Sequence, residues 1–181
     1  MNKIYLIGYM GCGKTTIGRL LAKQIGWSFV DMDTYIENRH QETISELFAK
    51  QGESFFRKAE HTSLEEISKS ENIVVSTGGG TPCFFDNIDL MNRTGLSFYI
   101  YMSPKALSIR LESNTKNRPL LRDKKGKSLE CFIEAQLSQR QPFYEKALYR
   151  VNNEREHPQA TVEEIINILK NNIWTMVKSE C

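Results

Sequence analysis

From residue 8 the chain reads Gly-Tyr-Met-Gly-Cys-Gly-Lys-Thr, which meets G-x-x-x-x-G-K-[ST] at every fixed position. The apolar run Lys3–Ile7 before it reads as a buried strand. The stretch Lys14–Ile25 after it carries Ile17, Leu20, Leu21 and Ile25 on one helical face. Strand, glycine-rich turn and helix in that order make a phosphate cradle. The glycines let successive N–H groups point into one concavity, and the helix N-terminus adds the positive end of its dipole. Lys14 is then placed to reach the β- and γ-phosphates of a nucleotide, and the Thr15 hydroxyl to ligate Mg²⁺. The competing reading, a glycine-rich turn with a surface lysine, explains neither the full pattern nor its context.

Further elements alternate along the chain. Residues 28–30 read as a short second strand closed by Asp31 and Asp33, and residues 72–76 as a third, ending in Gly78-Gly79-Gly80. Residues 96–102 form a β-prone fourth strand through Phe98, Tyr99, Ile100 and Tyr101, and 149–151 a short fifth. Between them, Thr43-Ile44-Ser45-Glu46 has the form of a capping box ahead of a helix that Gly52 ends. Helices are expected over about 54–69, after Ser103-Pro104, over about 129–146, and over 161–171. Strands separated by helices imply parallel βαβ units, hence a three-layer α/β/α fold in one domain spanning residues 1–181.

Composition excludes several function classes. Lys and Arg number 24 against 22 Asp and Glu, a formal charge of +2, so bulk attraction to nucleic acid or membrane is not expected. The short basic cluster Arg122, Lys124, Lys125 and Lys127 lacks the interleaved aromatics of a single-strand binder. Cysteines at 12, 83, 131 and 181 are too scattered for a metal pair or a redox CxxC, which fits a reducing compartment. No apolar run reaches the roughly 20 residues that span a bilayer. His40, His61 and His157 show no ligand spacing.

Phosphoryl acceptors should bind at the carboxyl ends of strands near the phosphate loop. Asp31 and Asp33 fall there. If the backbone stays strand-like their carboxylates share a side, one for a metal-bound water and one for an acceptor hydroxyl; an acidic turn with Asp33 capping a helix is the alternative. The triple glycine suits either close approach of a ligand or a tight turn. Arg57 and Glu60, three apart on a helix, would taken alone be a surface ion pair. Arg140, late in its helix, would taken alone serve the helix dipole. Residues 112–128 are polar and basic, with Lys116, Arg118 and Arg122 around Leu120-Leu121, and read equally as a solvated loop or a mobile lid.

Taken as an ordered set, these motifs resemble the shikimate kinases along nearly the whole chain. The set is GYMGCGKTT at 8–16, Asp31-Met32-Asp33, Phe56-Arg57-Lys58-Ala59-Glu60, Ser76-Thr77-Gly78-Gly79-Gly80, Asn117-Arg118-Pro119-Leu120-Leu121 and Arg140-Gln141-Pro142-Phe143-Tyr144. The resemblance implies a five-stranded parallel sheet of nucleoside-monophosphate-kinase type, a substrate-binding segment over about 32–60, and a lid over about 112–128. It implies transfer from ATP to the 3-hydroxyl of shikimate, with Mg²⁺ as cofactor. Gly11, Cys12, Gly13, Lys14, Thr15, Thr16, Arg110 and Arg118 would bind ATP, Arg110 and the loop 152–158 lying against the base. Asp33, Arg57, Gly79, Gly80 and Arg140 would bind shikimate, with Glu60 orienting Arg57. Lys14, Asp33 and Arg118 would be catalytic. Thr15 would hold the metal, with Asp31, through water, and Ser76 supporting it. Shikimate and ATP are the expected partners of a cytoplasmic monomer, with no nucleic acid and no membrane. Cys12 and Met32 stand where the family often has alanine and threonine, and the thiol raises the expectation of oxidation sensitivity. A gluconate or nucleotide kinase is the nearest rival, and a nucleotide switch without acceptor chemistry the rival from another class.

Overall fold

The computed structural model describes residues 2–112, 126–155 and 157–179. Five parallel strands run in the order β2-β3-β1-β4-β5, where β1 is Lys3–Ile7, β2 Ser28–Asp31, β3 Ile73–Ser76, β4 Leu96–Tyr101 and β5 Tyr149–Asn152. The consecutive strands β3 and β4 lie on opposite sides of β1, so the crevice where the order reverses opens at the carboxyl end of β1, beside β3. Ile4, Tyr5, Leu6 and Ile7 are all fully buried. A central strand covered by helices on both faces reads as a continuous apolar run for that reason.

The helices are α1 (Lys14–Ile25), α2 (Met32–His40), α3 (Ile44–Ile67), α4 (Asn87–Thr94), α5 (Pro104–Glu112), α6 (Gly126–Tyr144) and α7 (Pro158–Ser179), with a 3₁₀ turn at Thr81–Cys83. The capping box at α3 forms as expected: Thr43 Oγ1 accepts from Glu46 N–H, and Glu46 Oε2 accepts from Thr43 N–H at 2.8 Å. The expected break at Gly52 is present, φ 78° and ψ 173°, but the chain resumes helical geometry at once, so α3 is a helix with a kink. α7 begins three residues earlier than the sequence pattern suggests and extends further.

Two helices escape the sequence pattern altogether. In α2 only Met32 and Ile36 are buried, one i,i+4 pair with little else to mark a face. α4 is eight residues long and buries Asn87, Ile88 and Met91. α2 also corrects the reading of the acidic pair. The strand ends at Asp31, and Asp33 lies in the first turn of α2. The capping residue is Asp31, whose side chain accepts from the Asp33 N–H at 3.2 Å, and not Asp33. The two carboxylates meet because a helix starts between them, not because a strand continues.

A small second cluster, Ile36, Leu47 and Phe56 with Ile44, Phe48 and Phe55 against it, packs α2 on α3 apart from the main core. It carries the segment holding Asp33 and Arg57 as a separate ledge beside the sheet.

Candidate functional site

The phosphate loop departs from ordinary backbone geometry at three glycines, with φ of 141° at Gly8, 83° at Gly11 and 98° at Gly13. Residues with a Cβ rarely adopt that region, so the motif's two fixed glycines, Gly8 and Gly13, and Gly11 between them are a backbone requirement. The third glycine caps α1 without a side chain, leaving the first N–H groups of the helix turned toward the loop. Lys14 is buried at 8 % exposure, and its Nζ donates to the Gly8 and Tyr9 carbonyls at 2.8 and 3.0 Å. The ammonium is therefore stored on the loop's own oxygens, within reach of anything the loop cradles.

A cavity of about 460 Å³ opens over this loop, lined by Gly11, Gly13, Lys14, Thr15, Thr16 and Ile17 from the loop and α1, Arg110 and Leu111 from α5, and Asn153 and Pro158 beyond β5. The residues expected at the nucleotide base thus reach the same cavity as those expected at its phosphates. Cys12 does not line it. Its side chain is fully buried, with Sγ 3.8 Å from Lys14 Nζ, so the thiol offers oxidants no surface. Asn153, within the loop 152–158 expected at the base, also holds the phosphate loop in shape, a role sequence reasoning missed. Its Nδ2 donates to the Cys12 carbonyl at 2.7 Å, while its Oδ1 accepts from the Thr161 hydroxyl at 2.7 Å.

Beside the cavity, the Thr15 hydroxyl donates to Asp31 Oδ2 at 2.7 Å and lies 3.4 Å from Ser76 Oγ. Parallel register sets Asp31 level with Ser76 at the strand ends, which brings these oxygens together. Hard oxygen donors with a single carboxylate suit Mg²⁺, which keeps most of its shell as water and phosphate oxygen.

Asp33 lies across the crevice from the loop. It is open to the cleft by surface area, yet protein surrounds the carboxylate on the remaining sides. Burial, with repulsion from Asp31, Glu60 and Glu37, raises its pKa to about 6 against an opposing pull from Lys14. A carboxyl group poised there is suited to accepting a proton from a hydroxyl near neutral pH.

Arg57 is not the surface ion pair its spacing suggested. Its side chain is 13 % exposed and that of Glu60 is 2 % exposed, with Nη1 donating to Glu60 Oε2 at 2.6 Å. Glu60 in turn accepts from the Thr81 hydroxyl at 2.5 Å through its other oxygen. The guanidinium carbon also lies 4.1 Å from the centroid of the Phe84 ring. A positive fork stacked on an aromatic face and held by a buried carboxylate is a rigid anion receptor.

Arg140 reaches the crevice from α6, 5.4 Å over the Tyr9 ring. Among the described residues it has no ion pair, so it does not spend its charge on a neighbouring carboxylate. Cys83 lies within the fields of both arginines; burial pushes its thiol up to about 11, and Arg140 and then Arg57 pull it back. Tyr144 donates to the Gly79 carbonyl at 2.6 Å, and burial raises its pKa above the usual phenol range. Thr81 carried no site signal in the sequence, and Tyr144, though part of a quoted motif, had no role assigned, because each acts by holding another group.

Of the three glycines after β3, Gly78 and Gly80 explain themselves sterically. None of the three has positive φ. A Cβ at Gly78 would stand 2.7 Å from Glu60 Oε1 and 3.0 Å from Asp33 Oδ1, and one at Gly80 2.6 Å from Arg57 Nη1. A Cβ at Gly79 would lie 3.5 Å from both the Gly8 carbonyl and Arg140 Nη1. The strip is thus a floor across which phosphate loop, carboxylate and arginines converge. Arg118 and most of the expected lid, including Lys116, Arg122, Lys124 and Lys125, lie outside the described residues.

Comparison with known proteins agrees with this geometry. The family model for shikimate kinase matches residues 10–170. A shikimate kinase from Parabacteroides distasonis is 43 % identical over 169 residues, covering 93 % of this chain and 98 % of the relative. Among solved structures, shikimate kinase from Bacteroides thetaiotaomicron superposes with TM-score 0.89 at 41 % identity, covering 93 % of this chain and 98 % of its own. Shikimate kinase from Acinetobacter baumannii, solved in complex with shikimate, superposes with TM-score 0.85 at 33 % identity, covering 95 % and 94 %.

Proposed function

The chain belongs to the shikimate kinase family, and from that premise we propose how its cleft transfers the γ-phosphoryl group of ATP to the 3-hydroxyl of shikimate. The products are shikimate 3-phosphate and ADP, on the route to chorismate and aromatic amino acids. The observation that carries the assignment of roles is the position of Gly79. A Cβ placed on Gly79 would lie 3.4 Å from Met10 N in the phosphate loop and 3.5 Å from Arg140 Nη1, so a phosphate in the loop and a carboxylate on the arginine would flank one small ring.

In this arrangement ATP lies along the cavity, its base between Arg110 and Pro158 and its phosphates over the N-terminus of α1. Lys14 exchanges the Gly8 and Tyr9 carbonyls for phosphate oxygens. Arg57 and Arg140 take the carboxylate of shikimate, and the glycine strip lets the ring lie flat against backbone. The 3-hydroxyl then faces Asp33, which accepts its proton as the oxygen–phosphorus bond forms and the bridge to ADP breaks. Thr15, with Asp31 and Ser76 supporting it through water, would hold Mg²⁺, which would offset phosphate charge. Arg118 adds positive charge to the transferred group as residues 112–128 close, and the ledge over 32–60 is the shikimate-binding segment. The chain acts as a cytoplasmic monomer of one domain with no nucleic acid or membrane partner. No helix among the described residues is long and apolar enough to cross a membrane.

A coupled assay of ADP release with Mg-ATP tests the reading, comparing shikimate, gluconate and nucleoside monophosphates. Release with shikimate alone is the expected result. Release with gluconate or a nucleotide instead would keep the phosphate loop and overturn the assignment of Arg57, Arg140 and Asp33.

A further inference from the structure

Arg57 has two carboxylate neighbours, and they are held very differently. Glu60 is buried, and both its oxygens are engaged, one by Arg57 Nη1 and the other by Thr81. That carboxylate has nowhere to go: leaving Arg57 would strand it without water. Glu53 sits one turn earlier on α3, with its side chain 59 % exposed. A single oxygen, Oε1, accepts from both Nε and Nη2 of Arg57, at 3.1 and 3.0 Å. Among the described residues no other hydrogen bond anchors the Glu53 side chain, and it can swing into water at little loss.

These two contacts engage three of the five guanidinium N–H groups: Nε–H, one on Nη2 and one on Nη1. Nη1 already donates to the fixed Glu60, so the Nε/Nη2 edge is the one that offers an incoming carboxylate two parallel bonds without sharing a nitrogen with Glu60. Glu53 occupies that edge. It also follows directly on the kink at Gly52, where a Cβ would meet nothing within 4 Å.

We propose that Glu53 is an exchangeable counter-ion of Arg57: it caps the Nε/Nη2 edge in the free enzyme and is displaced by the carboxylate of the acceptor, so that it sets acceptor affinity. The inference rests on the reading that Arg57 receives the shikimate carboxylate. Glu53 is thus a positioning residue that acts through Arg57. It keeps a rigid cation neutralised while the site is empty, and it makes acceptor binding a swap of one carboxylate for another. A ligand without a carboxylate cannot displace it on equal terms, so the same residue favours carboxylated acceptors over neutral polyols.

The test is steady-state kinetics on Glu53→Gln and Glu53→Ala with varied shikimate at saturating Mg-ATP, alongside shikimate binding by calorimetry. Both variants are expected to lower the shikimate KM and Kd by about two- to fivefold, the range for an exposed ion pair, with the change in KM rather than kcat and no change in the ATP KM. In an Arg57→Ala background the same substitutions are expected to change nothing. An unchanged or raised shikimate KM, with the wild type active on shikimate, overturns the competitor role and makes Glu53 a brace that orients Arg57. A decrease that persists without Arg57 overturns it equally. Absence of shikimate turnover in the wild type would instead strike at the acceptor assignment itself.

Discussion

Replacing Gly80 with alanine adds one methyl group beneath the Arg57 guanidinium. Gly80 has φ −90° and ψ −21°, a conformation any residue adopts, so backbone strain plays no part. The added carbon would lie 2.6 Å from Nη1 and 3.0 Å from both Cζ and Nη2. A surface arginine would relieve such a contact by swinging away. Here Phe84 stacks against the fork, Nη1 is bound to buried Glu60, and Glu60 is bound to Thr81. The guanidinium must tilt off its carboxylate-facing geometry or break the Glu60 bond. A charge-assisted hydrogen bond of this kind contributes about 1.5–3 kcal/mol, which converts to roughly a 10- to 100-fold rise in the shikimate KM. The ATP KM should stay within about twofold, since Gly80 touches nothing in the nucleotide cavity. The assay is ADP release with each substrate varied in turn, with a thermal melt to show that the variant folds. A shikimate KM within twofold of wild type would refute the claim that the arginine is rigidly seated. Equal loss for both substrates would show that the glycine serves the fold instead.

Lys14→Ala should abolish turnover while leaving the fold intact, and a retained kcat would contradict the phosphate-loop assignment. Asp33 should give log(kcat/KM) for shikimate an acid limb near pH 6, because the ionised base is lost as pH falls through that value. The sign for stability is opposite: a carboxylate whose folded pKa is raised opposes folding once ionised, so the penalty grows as pH rises from about 4 to 6. Asp33→Asn should therefore melt higher than wild type at pH 7 and yet lack activity, and a lower melting temperature would refute the burial argument. Asn153→Ala leaves the Cys12 carbonyl and the buried Thr161 hydroxyl without their partner. It should cost about 2 kcal/mol or more in denaturant unfolding and raise the ATP KM, whereas an unaltered ATP KM would remove Asn153 from the shaping of the loop.

The sequence by itself determined whatever depends on residues close together in the chain. The phosphate loop is a local device: backbone freedom at three glycines, an apolar strand before them and one helical face after them are all present within residues 3–25. Strand and helix periodicity likewise foretold a parallel sheet, since each element's burial pattern is written in its own residues. Only the tertiary structure decided the acceptor side. Arg57 and Glu60 have the spacing of a surface pair, and what makes them a receptor is burial under Phe84 and Thr81, which arrive from beyond β3. Tyr144 reaches Gly79 across 65 residues and Asn153 reaches Cys12 across 141, contacts that no local pattern can encode. Helix α2 was hidden for the same reason, because its apolar face is a single pair of side chains and its stability comes from an aspartate cap and a neighbour still to be packed. Short-range chemistry is set by propensity and backbone sterics. The charge state and rigidity of a site are set by which distant groups exclude water from it, and that is a property of the folded chain.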